Sequence, residues 1–136
     1  MIEILVVIGI FGALASAALV SFHKSQDRRA LEDAQATVYR TLERQRNKAL
    51  TGSGLSNHGT RIEEHLIAAF EGDAYAGGGN EIFLPGAVSL DPAGIDIVFK
   101  RMSGETLAGT AVVTITHANG NSAQISVSAD GLIDKN

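Results

Sequence analysis

The sequence predicts an α+β fold in which one long N-terminal helix packs on a small antiparallel β-sheet. The chain starts with an apolar run, continues with strong helix formers and has no Gly or Pro between Val20 and Gly52. After Gly52, short runs of β-branched residues alternate with turn residues, which is typical of antiparallel strands. A chain of 136 residues has room for one modest domain. We therefore expect an apolar half-helix at 1–22, an amphipathic half-helix at 23–52 and a β-rich head at 53–136.

The apolar run at 4–20 contains no charged side chain, and Glu3 stands in front of it. A helix needs about 20 residues to cross the roughly 30 Å of a hydrocarbon core, so the segment 1–22 is long enough to do so. The tripeptide Ala-Ser-Ala at 15–17 resembles a signal-peptidase site, but a cleavable signal calls for a basic start. We expect a retained transmembrane helix.

The segment 23–52 predicts an amphipathic continuation of the same helix. Its apolar residues recur at helical spacing along one face: Leu31, Ala34, Val38, Leu42 and Ala49. Gly52 and Gly54 then supply a C-terminal stop. If the two halves are continuous, the helix has about 50 residues and a length of roughly 75 Å, so half of it must project from the head.

The head is predicted to be an antiparallel sheet whose apolar face the helix covers. Strands are expected at 58–63, 65–70, 95–101, 110–117 and 122–128, with weaker candidates at 81–84 and 131–134. Between two alternating runs, Asn119-Gly120 offers the positive φ angles of a tight hairpin turn. The glycine-rich stretch 72–80 predicts a flexible loop between two sets of strands.

Charge is divided unevenly along the chain. Residues 21–51 carry seven basic and four acidic side chains, a net charge of +3, whereas residues 52–136 carry four basic and ten acidic ones, a net charge of -6. A basic stalk and an acidic head could attract each other between neighbouring copies, or both could simply be solvated surfaces. The overall charge of -4 argues against a nucleic-acid partner, which needs clustered Lys and Arg.

Residue patterns for catalysis or metal binding are weak. The chain has no Cys, which excludes disulfides and thiolate metal sites, and its histidines are not at the spacing of a metal-binding helix. Glu63–His65 is interpreted as a surface cluster. Asp130 and Asp134 offer too few oxygens for Ca²⁺, and the basic run at 99–104 is interpreted as a strand end with solvated charges. We therefore assign no catalytic, cofactor-binding or metal-binding residue.

A family resemblance adds a functional expectation. The start "IEILVVIGIFGALASAAL", a long helix that becomes amphipathic, and the small β domain together resemble the type IV pilin superfamily. The later segments "GIDIVFKR" and "ISVSADGLI" are similar to minor pseudopilins of type II secretion and to FimT-class proteins. The resemblance implies a pilin-like fold and a non-enzymatic subunit, pilin or pseudopilin, of a type IV pilus or type II secretion filament. It also implies other such subunits, the inner membrane, a prepilin peptidase and an assembly platform as partners. The subunit would be anchored by a single membrane pass with its head outside the cytoplasm, and would form a periplasmic or cell-surface filament after assembly.

Glu3 is the one assembly residue that the resemblance carries over, because Met1-Ile2-Glu3 matches the family's Leu-Ile-Glu. A carboxylate inside an apolar bundle is costly unless it is paired, so in a filament Glu3 would meet the N-terminal amine of a neighbouring subunit. The alternative is that Glu3 lies at the lipid interface. The family's leader, cleavage-site glycine and N-terminal Phe have no counterpart, and a start truncated relative to the family is expected.

Two other functions fit the same residues. One is a solitary membrane-anchored binding module with an extracytoplasmic head. The other is an adaptor at a filament tip that binds DNA or a secreted protein.

Overall fold

The computed structural model describes the backbone of residues 2–136, and the side chains of these residues except 3, 5, 13 and 15–24. In this described chain one helix, α1 (Ile2–Leu50), precedes eight strands. The strands are β1 (His58–Ile62), β2 (Leu66–Glu71), β3 (Asn80–Phe83), β4 (Val88–Asp91), β5 (Ile95–Phe99), β6 (Ala111–His117), β7 (Ser122–Val127) and β8 (Ile133–Lys135). A helix followed by antiparallel strands confirms the predicted α+β class.

Helix α1 is continuous over 49 residues, which at 1.5 Å per residue gives about 74 Å. Gly52, with a φ of 65°, ends it. The amide of Gly52 donates to the Ala49 carbonyl (3.1 Å) and the amide of Ser53 donates to the Lys48 carbonyl (3.0 Å). These two bonds around a left-handed glycine form a Schellman cap, which satisfies carbonyls left open at the helix end. One long helix that stops at Gly52 is as predicted.

The apolar stripe on the second half of α1 faces the head, as the spacing predicts. Ala34, Val38, Leu42 and Ala49 are buried, and Leu31 packs partly buried against the same cluster. Within the described part of the chain, no helix has a stretch long and apolar enough to cross a membrane. The segment 1–22, for which a transmembrane helix was predicted, lies partly outside the described residues, so that expectation stays a prediction.

Instead of the single small sheet predicted from the sequence, the described head has two four-stranded antiparallel sheets. The first has the order β3-β2-β1-β5 and the second the order β4-β6-β7-β8. Strand β4 pairs with β6 and not with its sequence neighbours, so the chain crosses to the second sheet after β3 and returns to the first at β5. Helix α1 packs against both sheets and joins them through one core.

Strand β4 was not predicted, because its four residues lie between Pro-Gly and Pro sequences that indicate a loop. In the structure Val88 and Leu90 are buried, and Leu90 pairs with Ile115 of β6. The prediction for 72–80 was also wrong in part, because this stretch joins β2 to β3 within one sheet and does not separate two sets of strands. Both differences come from strand pairing that local sequence does not reveal, namely β4 with β6 and β3 with β2.

The other seven strands lie where the sequence predicts them, with ends shifted by no more than two residues. The hairpin of β6 and β7 is confirmed, since Thr116 pairs with Ser122 and Gly120 has a φ of 89°. Alternation places Val113 and Ile115 of β6 in the core. Phe99 of the first sheet and Ile115 of the second lie in the same buried cluster as Leu42 of α1.

We expect Leu42→Ala to lower the free energy of unfolding by about 2–5 kcal/mol, because it leaves a cavity where the helix meets both sheets. Leu55→Ala is the matched control, since Leu55 is 95% exposed and should change stability by less than about 0.5 kcal/mol. Urea denaturation of the full chain measures both values. An equal decrease in the free energy of unfolding in the two variants would contradict the packing described for α1.

We expect Gly131→Ala to destabilise the head more than Gly120→Ala. Both glycines have left-handed backbone, with φ of 78° and 89°. An added Cβ at Gly131 would overlap the carbonyl oxygen of Gly104, whereas at Gly120 it would meet nothing within 4 Å. The backbone strain of about 1–2 kcal/mol is common to both variants. A larger decrease of the unfolding temperature in Gly131→Ala than in Gly120→Ala therefore reports the steric overlap with Gly104.

Candidate assembly surfaces

The first part of α1 carries apolar side chains that the head does not cover. Eight of them are at least half exposed: Ile2, Ile4, Val6, Val7, Ile8, Ile10, Phe11 and Leu14. We call this set the apolar segment. Its side chains point to all sides of the helix, and a helix that is apolar all round is normally buried. Gly9 and Gly12 lie among them with open space around each, so a neighbouring helix could approach closely.

Glu3 belongs to α1, but its side chain lies outside the described residues. The predicted pairing of its carboxylate with a neighbouring amine therefore remains a prediction.

Polar contacts fix the place where α1 leaves the head. The Asn119 side-chain amide donates to Asp27 (3.3 Å), and Nε2 of buried His117 lies 3.9 Å from the same carboxylate. Nδ1 of His117 accepts the Asn119 backbone amide (3.3 Å), so the neutral ring carries its proton on Nε2, toward Asp27. We call this end of the head the proximal end.

The turn between β1 and β2 also lies at the proximal end. Nδ1 of His65 donates to the Val88 carbonyl (2.7 Å), and Val88 pairs with His117 across the second sheet. His65 therefore links the turn to β4, which pairs with β6, the strand whose His117 lies near Asp27. The turn carries Glu64, whose side chain is 70% exposed and whose carboxylate lies 3.7 Å from His65 Nε2.

An ion cluster on the first sheet holds the neighbouring carboxylate of that turn. The guanidinium of Arg61 donates from Nε to the Glu63 carboxylate (2.7 Å) and from a terminal nitrogen to the Asp96 carboxylate (3.2 Å). The hydrogen bond to Glu63, assisted by Asp96, raises the pKa of Arg61 above its ordinary value despite some desolvation, so the guanidinium remains charged. The Glu63 carboxylate thus has a hydrogen-bond donor within the same subunit, whereas the Glu64 side chain is exposed.

The opposite, distal end contains a polar cleft of about 540 Å³. Helix α1 covers β1 more closely than the outer strands β2 and β3, which leaves part of the inner face of the first sheet open. Thr41, Arg44, Gln45 and Lys48 line one wall, and the stretch 76–80 lines the other. The sequence predicted no site at this position.

Buried polar groups mark the floor of the cleft. Thr41, Gln45 and His58 are each less than 10% exposed although they are polar. Nε2 of His58 donates to the Ser53 carbonyl at 2.5 Å, and its Nδ1 is buried with no hydrogen-bond partner among the described residues. Polar residues at helical spacing inside the apolar stripe, Thr41 and Gln45, were the one sequence signal for this cleft.

The glycine-rich stretch 76–80 borders one side of the cleft. Gly77 and Gly78 have φ of 90° and 77° and open space where a Cβ would be. The adjacent Tyr75 hydroxyl donates to Glu81 (2.8 Å), and this bond raises the pKa of the phenol above its ordinary value. Tyr75 thus stays protonated and ties the loop to β3.

The acidic positions considered for metal binding do not assemble into a site in the described part of the chain. No three His, Asp or Glu side chains there are arranged to hold an ion. Glu63–His65 is instead occupied by the contacts to Arg61 and Val88.

No family model matches this sequence, and no curated protein matches it. Among solved structures, the chain is similar to the minor pseudopilin EpsH from the type 2 secretion system of Vibrio cholerae. The TM-score is 0.59 at 14% sequence identity, and the match covers 78% of this chain and 95% of that chain. The long helix on a small antiparallel β head is therefore a pilin-like fold, as the first residues led us to expect.

Proposed function

We propose that this chain is a structural, non-enzymatic subunit, a pilin or pseudopilin, of a type II secretion or type IV pilus filament. The observation that carries the proposal is the apolar segment of α1, which lies outside the head with all eight described side chains exposed. Full burial of one Val, Ile or Phe side chain contributes about 1.5–3 kcal/mol. Burial of the whole segment is therefore a strong driving force for association.

The fold suits helix-to-helix packing. The amphipathic half of α1 is occupied by its own head, so the apolar segment is left to contact other subunits. Parallel packing of such segments places the apolar residues in a filament core and the heads on the outside. Before assembly the inner membrane would cover the same side chains, and a prepilin peptidase and an assembly platform are the further partners that this proposal includes. The finished filament would be periplasmic or at the cell surface.

Glu3 has a specific role in this proposal. A carboxylate among apolar helices is stable only when it is paired, so packing in one axial register, with Glu3 beside a neighbouring N-terminal amine, is favoured over others. Glu3 then sets the register, and the apolar segment supplies the affinity.

We expect Ile8→Asp to abolish incorporation into filaments, because a new carboxylate in the apolar segment would be buried without a partner. Leu55→Asp is the matched control. Ile8 and Leu55 are both exposed in the single subunit, at 62% and 95%, so neither change should lower the thermal stability of the head. Electron microscopy and a shear fraction of cells that produce each variant measure incorporation.

Filaments of normal yield from Ile8→Asp would contradict assembly through α1. Chemical crosslinking that finds monomers alone in cells of wild type would instead favour a solitary binding module with an anchored head.

We expect Glu3→Leu to reduce incorporation while Asp33→Leu does not. Both changes replace a carboxylate on α1 by an apolar side chain, but Asp33 lies on the exposed surface of the head-bound half. Immunoblotting of the sheared filament fraction against total chain compares the two variants. Normal incorporation of Glu3→Leu would contradict the proposed role of Glu3.

A further inference from the structure

Two strand edges of the head have no partner strand among the described residues. Strand β3 is the last strand of the first sheet, beside β2, and strand β8 is the last strand of the second sheet, beside β7. Natural proteins often guard such an edge with a Pro or an outward Lys, because its free amides and carbonyls can bind another strand. β3 contains neither residue. On β8, the Lys135 ammonium lies 4.1 Å from the ring centroid of Tyr39, on the helix side of the strand.

The hydrogen-bond pattern of β3 determines which of its backbone groups point outward. The Leu84 amide donates to the His65 carbonyl (2.9 Å), and in an antiparallel ladder such bonded pairs alternate with non-bonded ones. Since Phe83 is opposite Leu66, the amides and carbonyls of Glu81 and Phe83 point away from β2. The Phe83 side chain is 73% exposed. This edge therefore presents free backbone groups beside an exposed apolar ring.

The free edge of β8 follows from the same alternation. Asn136 and Gln124 exchange both of their backbone hydrogen bonds, each 2.9 Å long. The amides and carbonyls of Ile133 and Lys135 therefore point away from β7. Beside them, Leu132 is 56% exposed, on the face opposite to that of buried Ile133. The β8 edge thus has the same composition as the β3 edge, with free backbone groups and an exposed apolar side chain.

The two edges lie on opposite flanks of α1. On one flank, Thr41 lines the cleft together with Ile82 of β3. On the other flank, Tyr39 contacts Lys135 of β8. Side chains two positions apart on an α-helix point about 160° away from each other. One subunit therefore cannot pair its own β3 edge with its own β8 edge.

Both edges also run in the same direction along the head. Every second strand of an antiparallel sheet has the same direction, so β3 runs like β1 and β8 runs like β6. β1 ends at the turn 63–65 and β6 ends at His117, and both of these points belong to the proximal end. In a filament of parallel subunits, the β3 edge of one copy and the β8 edge of a neighbour would be parallel strands.

Side-chain chemistry selects one register for this pair. Ile82 of β3 and Ile133 of β8 both face the core, and they lie opposite each other when Phe83 is opposite Asp134. In that register the Phe83 ring is diagonal to Leu132, within reach of an aromatic side chain. A shift by two residues in either direction places Glu81 opposite an aspartate, at 134 or 130, and like charges opposite each other are unfavourable.

We propose that β3 of one copy pairs with β8 of a second copy, so that the first sheet of one head continues into the second sheet of its neighbour. The Phe83 amide donates to the Ile133 carbonyl, and the Phe83 carbonyl accepts the Lys135 amide. This inference rests on the proposed filament function and adds a contact between heads to the packing of helices. Because two different edges are joined, the contact propagates from copy to copy and does not close into a symmetric dimer.

Engineered cysteines test the contact directly, because the chain contains none. We expect the double variant Phe83→Cys with Asp134→Cys to form a ladder of disulfide-linked oligomers in filaments under mild oxidation. Both positions are exposed in the single subunit. Paired strands lie about 4.8 Å apart, and a disulfide requires Cα atoms within about 7 Å. The matched control is Phe83→Cys with Gln124→Cys, whose second thiol is also exposed but lies one strand farther from the edge, so it should give no ladder.

Proline substitution tests the backbone hydrogen bonds without new thiols. The Phe83 amide points away from β2, so Phe83→Pro removes a donor of the proposed contact and no hydrogen bond of the β2–β3 ladder. We expect Phe83→Pro to lower filament yield by about threefold or more relative to Phe83→Ala, which keeps the amide and loses the same ring. Lys135→Pro and Lys135→Ala form the corresponding pair on β8. Circular dichroism melts of all four variants verify that the heads are folded.

The outcomes separate the two proposals. Filaments that form normally but give no ladder from the 83–134 pair, or an equal ladder from the 83–124 pair, would overturn this inference and leave the filament function standing. A wild-type chain that forms neither filaments nor crosslinked oligomers would overturn both. A ladder specific to the 83–134 pair supports strand pairing between heads, and it decides the question by itself if a proline variant does not fold.

Discussion

The packing of one helical stripe against two sheets is the interaction on which the rest of the structure depends. Helix α1 contacts strands of both sheets, and Leu42 lies in one buried cluster with Phe99 from the first sheet and Ile115 from the second. The stripe is narrow, with alanines at 34 and 49. Small residues at its ends allow the sheets to approach the helix, and larger ones between them fill the centre. The head is thus assembled around half of a helix that is much longer than the head.

That arrangement leaves the described apolar side chains before residue 15 outside the head. A helix of 49 residues cannot be covered by a head of this size, and the described side chains before residue 15 are exposed although they are apolar. Exposed apolar surface of this extent marks an interaction site. The same helix therefore stabilises the head with one half and exposes apolar side chains on the other. In the filament that we propose, the position of each head would depend on how these helices pack.

The path of α1 across the head also makes the two ends of the head different. Because α1 enters the head at Asp27 and ends at Gly52, the head has two chemically different ends. The polar cleft lies at one end because the helix covers β1 more than the outer strands, and the β1–β2 turn with Glu64 lies at the other.

Much of this could be predicted from local sequence. Helix length, the stripe, the stop at Gly52, the Asn119-Gly120 hairpin and seven strand positions follow from periodicity and turn chemistry, which act over a few residues. The division into two sheets could not be predicted, because β4 is short and lies between prolines, and pairing with β6 stabilises it across more than twenty intervening residues. The cleft could not be predicted either, although Thr41 and Gln45 interrupt the apolar stripe beside it. Its lining comes from α1, from β1 to β3 and from the β2–β3 loop, which only the tertiary structure brings together. The sequence by itself determined which surfaces are apolar and where the chain turns. Only the tertiary structure decided which of those surfaces stay exposed, because that depends on where a helix longer than its head meets the sheets.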